Sequence, residues 1–189
     1  MLTATYSMVA IDIECDKARG ILHRMQQYLQ AAWNSLQHID LAFLDNMHSK
    51  LMQFDKYCRR RKIEVHLIPA LRRAGTEADA LIAELDTLYA RGTRALHSAA
   101  EHLASAFEMH SVKASEICHA MELYCNSLAL RLEKEEKELL PLARRLFSIE
   151  DWFAIASQFL ADDADAAARK RQSPSAPRMA ERGAASGLN

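Results

Sequence analysis

Glycine and proline are scarce in this chain, five and four of 189 residues. With so few breakers, and with Ala and Leu abundant, long helices are expected and sheet-rich folds are not. Aromatic residues make up only 7% of the chain, and they do not alternate with basic ones in the manner of a nucleic-acid surface. Charge of one sign is missing too: 24 Lys and Arg face 25 Asp and Glu, so no long-range field recruits a polyanion. The basic run Arg59-Arg60-Arg61-Lys62 reads as a solvated helix face. No uncharged apolar run approaches the roughly eighteen residues needed to cross a bilayer. The opening MLTATYSMVAIDIE has no basic n-region and meets acid by Asp12, unlike a secretory signal. The four cysteines, Cys15, Cys58, Cys118 and Cys125, lack CxxC spacing, so a zinc cluster or a disulfide framework is not expected. A reduced, cytoplasmic protein without membrane or nucleic-acid partners is the expectation. There is no nucleophile–base constellation and no Gly-rich phosphate loop, and an enzyme built on organic side chains is not expected.

What is present is helical periodicity. Ile11, Cys15, Ala18, Leu22, Met25 and Leu29 recur at three- and four-residue steps and make one apolar stripe. A second stripe runs through Leu41, Leu44, Met47, Leu51, Phe54, Cys58 and Leu67 up to Pro69 and Gly75. A third holds Leu81, Leu85, Leu88, Gly92 and Leu96 and fades near His110, and a fourth carries Ile117, Met121, Cys125, Leu128, Leu132, Leu139 and Leu142. Four such segments with short connections predict an all-α, antiparallel up-down four-helix bundle over residues 1–161. A short fifth helix around Trp152 to Leu160 is expected to close it. HLIPALRR (66–73) and ELLPLARR (138–145) lie 72 residues apart, so the chain reads as two related helical hairpins. From about residue 162 the composition turns to Ala, Asp, Arg, Ser and Pro without apolar periodicity, and 162–189 are expected to form a disordered tail.

Residues 135–153, EEKELLPLARRLFSIEDWF, resemble the fourth-helix signature of the hemerythrin-like cation-binding family. The likeness extends over about residues 8–160. In the second helix the family frame falls on Phe54, Arg59-Arg60, Ile63-Glu64 and Leu67-Ile68-Pro69-Ala70-Leu71. In the third it falls on Leu88-Tyr89 and Gly92, and in the fourth on Arg131 and Glu135-Glu136. The first-helix His position falls on Cys15, with Lys17 or Ala18 as alternatives; His23 lies off the stripe. The resemblance implies a four-helix bundle with a core site that, in the family, holds two irons through His and Glu ligands.

In this chain the implied ligand set becomes Cys15, Arg59, Ile63, Tyr89, Arg131 and Glu135. Only Glu135 is in place, and Glu64 stands one residue out of register. A guanidinium stays protonated and has no lone pair for a metal. Arg131 and Glu135 are spaced i, i+4 and can pair along one helix. A buried Arg–carboxylate network built on Arg59, Arg131 and Glu135 is therefore the expected substitute for the metal; snorkelling arginines around a plain core are the alternative. His48, His66, His97, His102, His110 and His119 form none of the family's His-x-x-x-Glu pairs. Cys58, Cys118 and Cys125 read as small hydrophobes. Cys15, near arginines, is a candidate redox-sensitive thiol.

Three functional readings follow. The first is a metal-free, degenerate hemerythrin-like module for binding, sensing or regulation, with no cofactor and with an unidentified protein or small-anion partner. The second is a non-haem iron or oxygen-binding protein using Cys15, Glu64, Tyr89 and Glu135. The third is an anion pocket clamped by Arg59 and Arg131.

Overall fold

The computed structural model of the chain describes residues 2–34, 40–109 and 114–172. Every regular element among them is helical. In chain order these are α1 (Leu2–Trp33), α2 (Leu41–Cys58), a π-helical turn π1 (Ile63–Leu67) running into α3 (Ile68–Ala74), and α4 (Asp79–Met109). Then come α5 (Ala114–Lys134), a second π-helical turn π2 (Glu135–Leu139) running into α6 (Leu140–Leu146), and α7 (Ile149–Gln172). No helix among the described residues is long and apolar enough to cross a membrane.

Local chemistry sets the boundaries. The Asp40 carboxylate caps α2 by accepting from the Ala42 N–H at 3.1 Å. Gly75, at φ +147°, ends α3 in a conformation that side chains rarely adopt. Ser148 and Asp151 cap α7 reciprocally, each side chain accepting from the other's backbone N–H. Pro69 and Pro141 each stand in the first turn of the helix that follows a π turn. A proline ring crowds the carbonyl four residues back, and a widened turn just before it relieves the crowding. Accordingly Ile68 N–H bonds to Ile63 O and Leu140 N–H to Glu135 O, five residues back. The two π turns and their helices lie 72 residues apart, the offset read from the sequence.

The second segment is not continuous. After Cys58 the chain tightens: Arg60 N–H reaches Tyr57 O at 3.0 Å and Arg61 N–H reaches Cys58 O at 3.3 Å, both three residues back. The Lys62 N–H then turns away and donates to the Glu14 carboxylate of α1 at 2.6 Å. The equivalent stretch of the second half, from α5 into π2, has no such break.

α4 packs on α5, α1 on α5 and α7, α2 on α4 and α5, and α3 touches α6. The buried apolar residues fall into two clusters. One gathers Ala18, Leu22 and Leu29 with Leu51, Phe54, Leu96, Met121 and Leu132. The other gathers Ile11 and Cys15 with Ile63, Leu71, Leu85, Leu139 and Phe159. The changeover between the clusters falls between Cys15 and Ala18, Cys58 and Ile63, Leu85 and Ala95, and Leu132 and Leu139.

α7 is longer than the short closing helix expected around 152–160. It buries Trp152, Ile155, Ala156 and Phe159 and then continues to Gln172, exposed over residues 160–169. Residues 162–172 are thus helical rather than part of a disordered tail. Their alanines favour helix without any buried face. Residues 173–189 lie outside the described residues.

Candidate functional site

Between the two apolar clusters lies a layer of buried charge. Glu135, the first residue of π2, is fully buried, and its carboxylate accepts from two arginines. Arg61 grips it with both terminal nitrogens, Nη1 to Oε2 at 2.8 Å and Nη2 to Oε1 at 3.0 Å. Arg131 Nε adds a third bond, to Oε1 at 3.0 Å. The other face of Arg131 donates from Nη2 to Glu64 Oε1 at 2.5 Å, and Arg61 Nη2 lies 3.6 Å from that same oxygen. Two guanidiniums and two carboxylates thus form a closed ring of alternating charge. Arg61 is 1% exposed and Arg131 3%. Glu64, at 21% side-chain exposure, is the one member that reaches toward water.

Forked N–H donation to a carboxylate is the strong form of this contact. Burial alone would weaken the hold of Arg61 on its proton, but the Glu135 charge and the bonds to it outweigh burial and raise the Arg61 pKa. Arg61 stays a cation. For Glu64, burial is the larger influence: the carboxyl is pushed above its ordinary value despite Arg131, with the Glu135 charge adding to the rise.

The sequence placed the second arginine at Arg59, and that position is corrected. Arg59 keeps 49% of its side chain exposed and pairs with Asp55, Nε to Oδ2 at 2.8 Å. Its guanidinium lies over the Tyr89 ring, 4.6 Å from the centroid, and Arg131 approaches that ring at 5.2 Å. The break after Cys58 is what turns Arg61 inward instead. A signal was available: four consecutive residues sweep roughly 300° around a helix, so a four-residue basic run cannot all face solvent.

The other expected positions are distributed around the ring. Cys15 Sγ lies 4.0 Å from Arg61 Nη1. Its thiol is pushed up to about 11, because burial outweighs the nearby Arg61, so the expected thiolate stabilisation is overturned. Cys58 is driven further, to about 12, by burial. Ile63 is buried and offers no donor atom. Asp55 also accepts from the Tyr124 hydroxyl at 3.4 Å. Gly92 lets Tyr124 come close to α4, since a Cβ there would stand 3.3 Å from the ring. The Tyr89 hydroxyl is buried without a protein partner. Tyr89, Asp55, Tyr124, Ser127 and Arg131 line a cavity of about 20 Å³, room for one water.

The histidines lie apart from the ring. His48 bonds to Leu96 O, His97 to Thr93 O, and His66 to Gln158 and Asp162 of α7. His102 faces Glu116, His119 is exposed, and His110 lies outside the described residues. Among the described residues, no group of three or more His, Cys, Asp and Glu is placed to hold a metal. The residues at the implied di-iron positions do not fit two irons: both oxygens of Glu135 are engaged by guanidiniums, which cannot ligate.

Comparison with protein-family models, curated proteins and solved structures yields no match.

Proposed function

We propose that this chain is a degenerate hemerythrin-like protein, an antiparallel up-down four-helix bundle in which an Arg–Glu ring replaces the di-iron centre. α1, α2 with π1 and α3, α4, and α5 with π2 and α6 are its four limbs, and α7 closes one end. The protein acts without a metal as a cytoplasmic module for binding, sensing or regulation rather than as an enzyme. One observation carries the reading: Arg61 and Arg131 converge on Glu135 in the middle of the core. Two cations and two anions balance there, as two irons and their ligands would. Cations at that point add a repulsion toward any incoming metal of a few kcal/mol per close charge, at an effective dielectric near 20.

The test is the metal content of protein purified from iron-replete cells. The expected result is colourless protein with well under stoichiometric iron and no rise in melting temperature on anaerobic ferrous addition. A site binding ferrous ion even modestly would register as such a rise. Stoichiometric iron, or an oxo-bridged absorption band, would overturn the reading in favour of ligation by Cys15, Glu64, Tyr89 and Glu135.

A further inference from the structure

We propose that Arg61 and Arg131 form a receptor for a small free carboxylate, and that Glu64 is the tethered occupant such a ligand displaces. The inference rests on the metal-free reading of the core and names its ligand class.

The four ring members are not equivalent. Arg61, Arg131 and Glu135 are almost wholly enclosed, and Glu135 is held by three hydrogen bonds. Glu64 is held by one bond from Arg131 and the longer 3.6 Å approach of Arg61. It is also the member with an open side, 21% exposed. Its backbone belongs to π1, which begins just after the break in the second segment. Turning Glu64 outward returns its carboxylate to water and leaves two buried guanidiniums facing a vacated carboxylate position. Buried guanidiniums left short of acceptors are costly, so that position strongly favours a replacement.

Charge selects the class of ligand. The ring is neutral with a single negative charge at the Glu64 position, and a monocarboxylate restores that balance where a dianion overshoots it. Position agrees, because Arg131 Nη2 donates to one Glu64 oxygen and Arg61 Nη2 lies 3.6 Å from that same oxygen, so both guanidiniums border the place a free carboxylate would take. The space that opens is that of the Glu64 carboxylate itself, which formate matches in size and acetate exceeds by a methyl group. Burial already disfavours the ionised form of Glu64 in place, which eases its departure. Tethering gives Glu64 the advantage of a high effective concentration, so in the intact protein a free carboxylate competes only weakly. The device is an occupied receptor, with its own side chain as the competitor.

The experiment compares the wild type, Glu64→Ala and Glu64→Gln by thermal melting in sodium formate, sodium acetate and sodium chloride at equal ionic strength. Binding of ¹³C-formate is followed by NMR in the same samples. Formate is expected to raise the melting temperature of Glu64→Ala by about 3 °C or more over chloride, and to bind it about tenfold more tightly than the wild type. Adding Arg131→Met should abolish the effect. Equal responses to formate and chloride in both variants overturn the proposal. A variant that stays unfolded at every formate concentration also counts against it, because rescue is the claim. Iron measured in these samples separates the two ideas: iron-free, unresponsive protein sinks the receptor alone, and stoichiometric iron sinks the reading beneath it.

Discussion

Glu135 answers to two arginines at once, and the consequences of removing any one partner are unequal. Arg61→Ala leaves a buried carboxylate with only Arg131, and a cost of about 3–5 kcal/mol is expected. Arg59→Ala takes a half-exposed guanidinium from the buried Asp55, which keeps its bond from the Tyr124 hydroxyl, and should cost about 1–2 kcal/mol. Urea unfolding of the two variants measures the contrast; equal losses would return the buried role to Arg59. Changing Arg61 and Glu135 together to Met and Leu should cost far less than Arg61→Ala or Glu135→Ala alone. The thiols make a second test. With Cys15 raised to about 11 and Cys58 to about 12, the first has at pH 8 about two and the second about three orders of magnitude less thiolate than an ordinary exposed thiol. Both should therefore resist alkylation in the native protein at pH 8 and react only after unfolding. Fast labelling of either by mass spectrometry would mean the core opens near the ring. At this scale the sequence was partly readable. Arg131, Glu135 and Glu64 were reached through the resemblance to the hemerythrin-like pattern, and the i, i+4 spacing of the first two indicated that they could pair. The basic run signals that one of its members turns inward, but that Arg61 is the one depends on the break after Cys58, which is held by the Glu14 carboxylate on another helix.

The elements follow the sequence more closely. Apolar stripes locate α1, α2, α4 and α5, and the repeated Pro-Ala-Leu and Pro-Leu-Ala endings locate α3 and α6. What periodicity could not show is the π turn before each proline, since one extra residue in a turn looks like noise in a three-and-four pattern. The C-terminal boundary was misread for a different reason: Ala-rich sequence holds a helix without an apolar face. α7 is nonetheless anchored by its buried half and by Asp162 and Asp163, which meet His66 and Lys62. A chain ending at Asp163 keeps all of these contacts and is expected to melt within about 2 °C of the full protein. One ending at Ser148 loses the buried Trp152, Ile155 and Phe159, a loss of about 5 kcal/mol or more. Differential scanning calorimetry of the two truncations checks both, and a sharp drop for the longer one would show that residues 164–189 help hold the fold.

Across the whole molecule, the ring joins the two halves of the chain by exchange. Arg61 of the first half holds Glu135 of the second, and Arg131 of the second holds Glu64 of the first. Apolar contact above and below that level is non-directional and tolerates sliding. The charges do not. If one half slipped against the other by a single helical turn, about 5.4 Å, every cross-pair would be out of reach at once. The ring is thus a register pin: it selects one alignment of the two halves more than it deepens the energy of that alignment. A variant with Arg61, Glu64, Arg131 and Glu135 all replaced by Met or Leu should keep its stability within about 2 kcal/mol or gain some. Its amide NMR spectrum, however, should broaden or double. A single sharp set of resonances would show that packing alone fixes the alignment. A chain whose two halves share a π turn and a proline after it has more ways to pair wrongly than one with dissimilar halves, and two members of the pin, Glu64 and Glu135, stand on those turns.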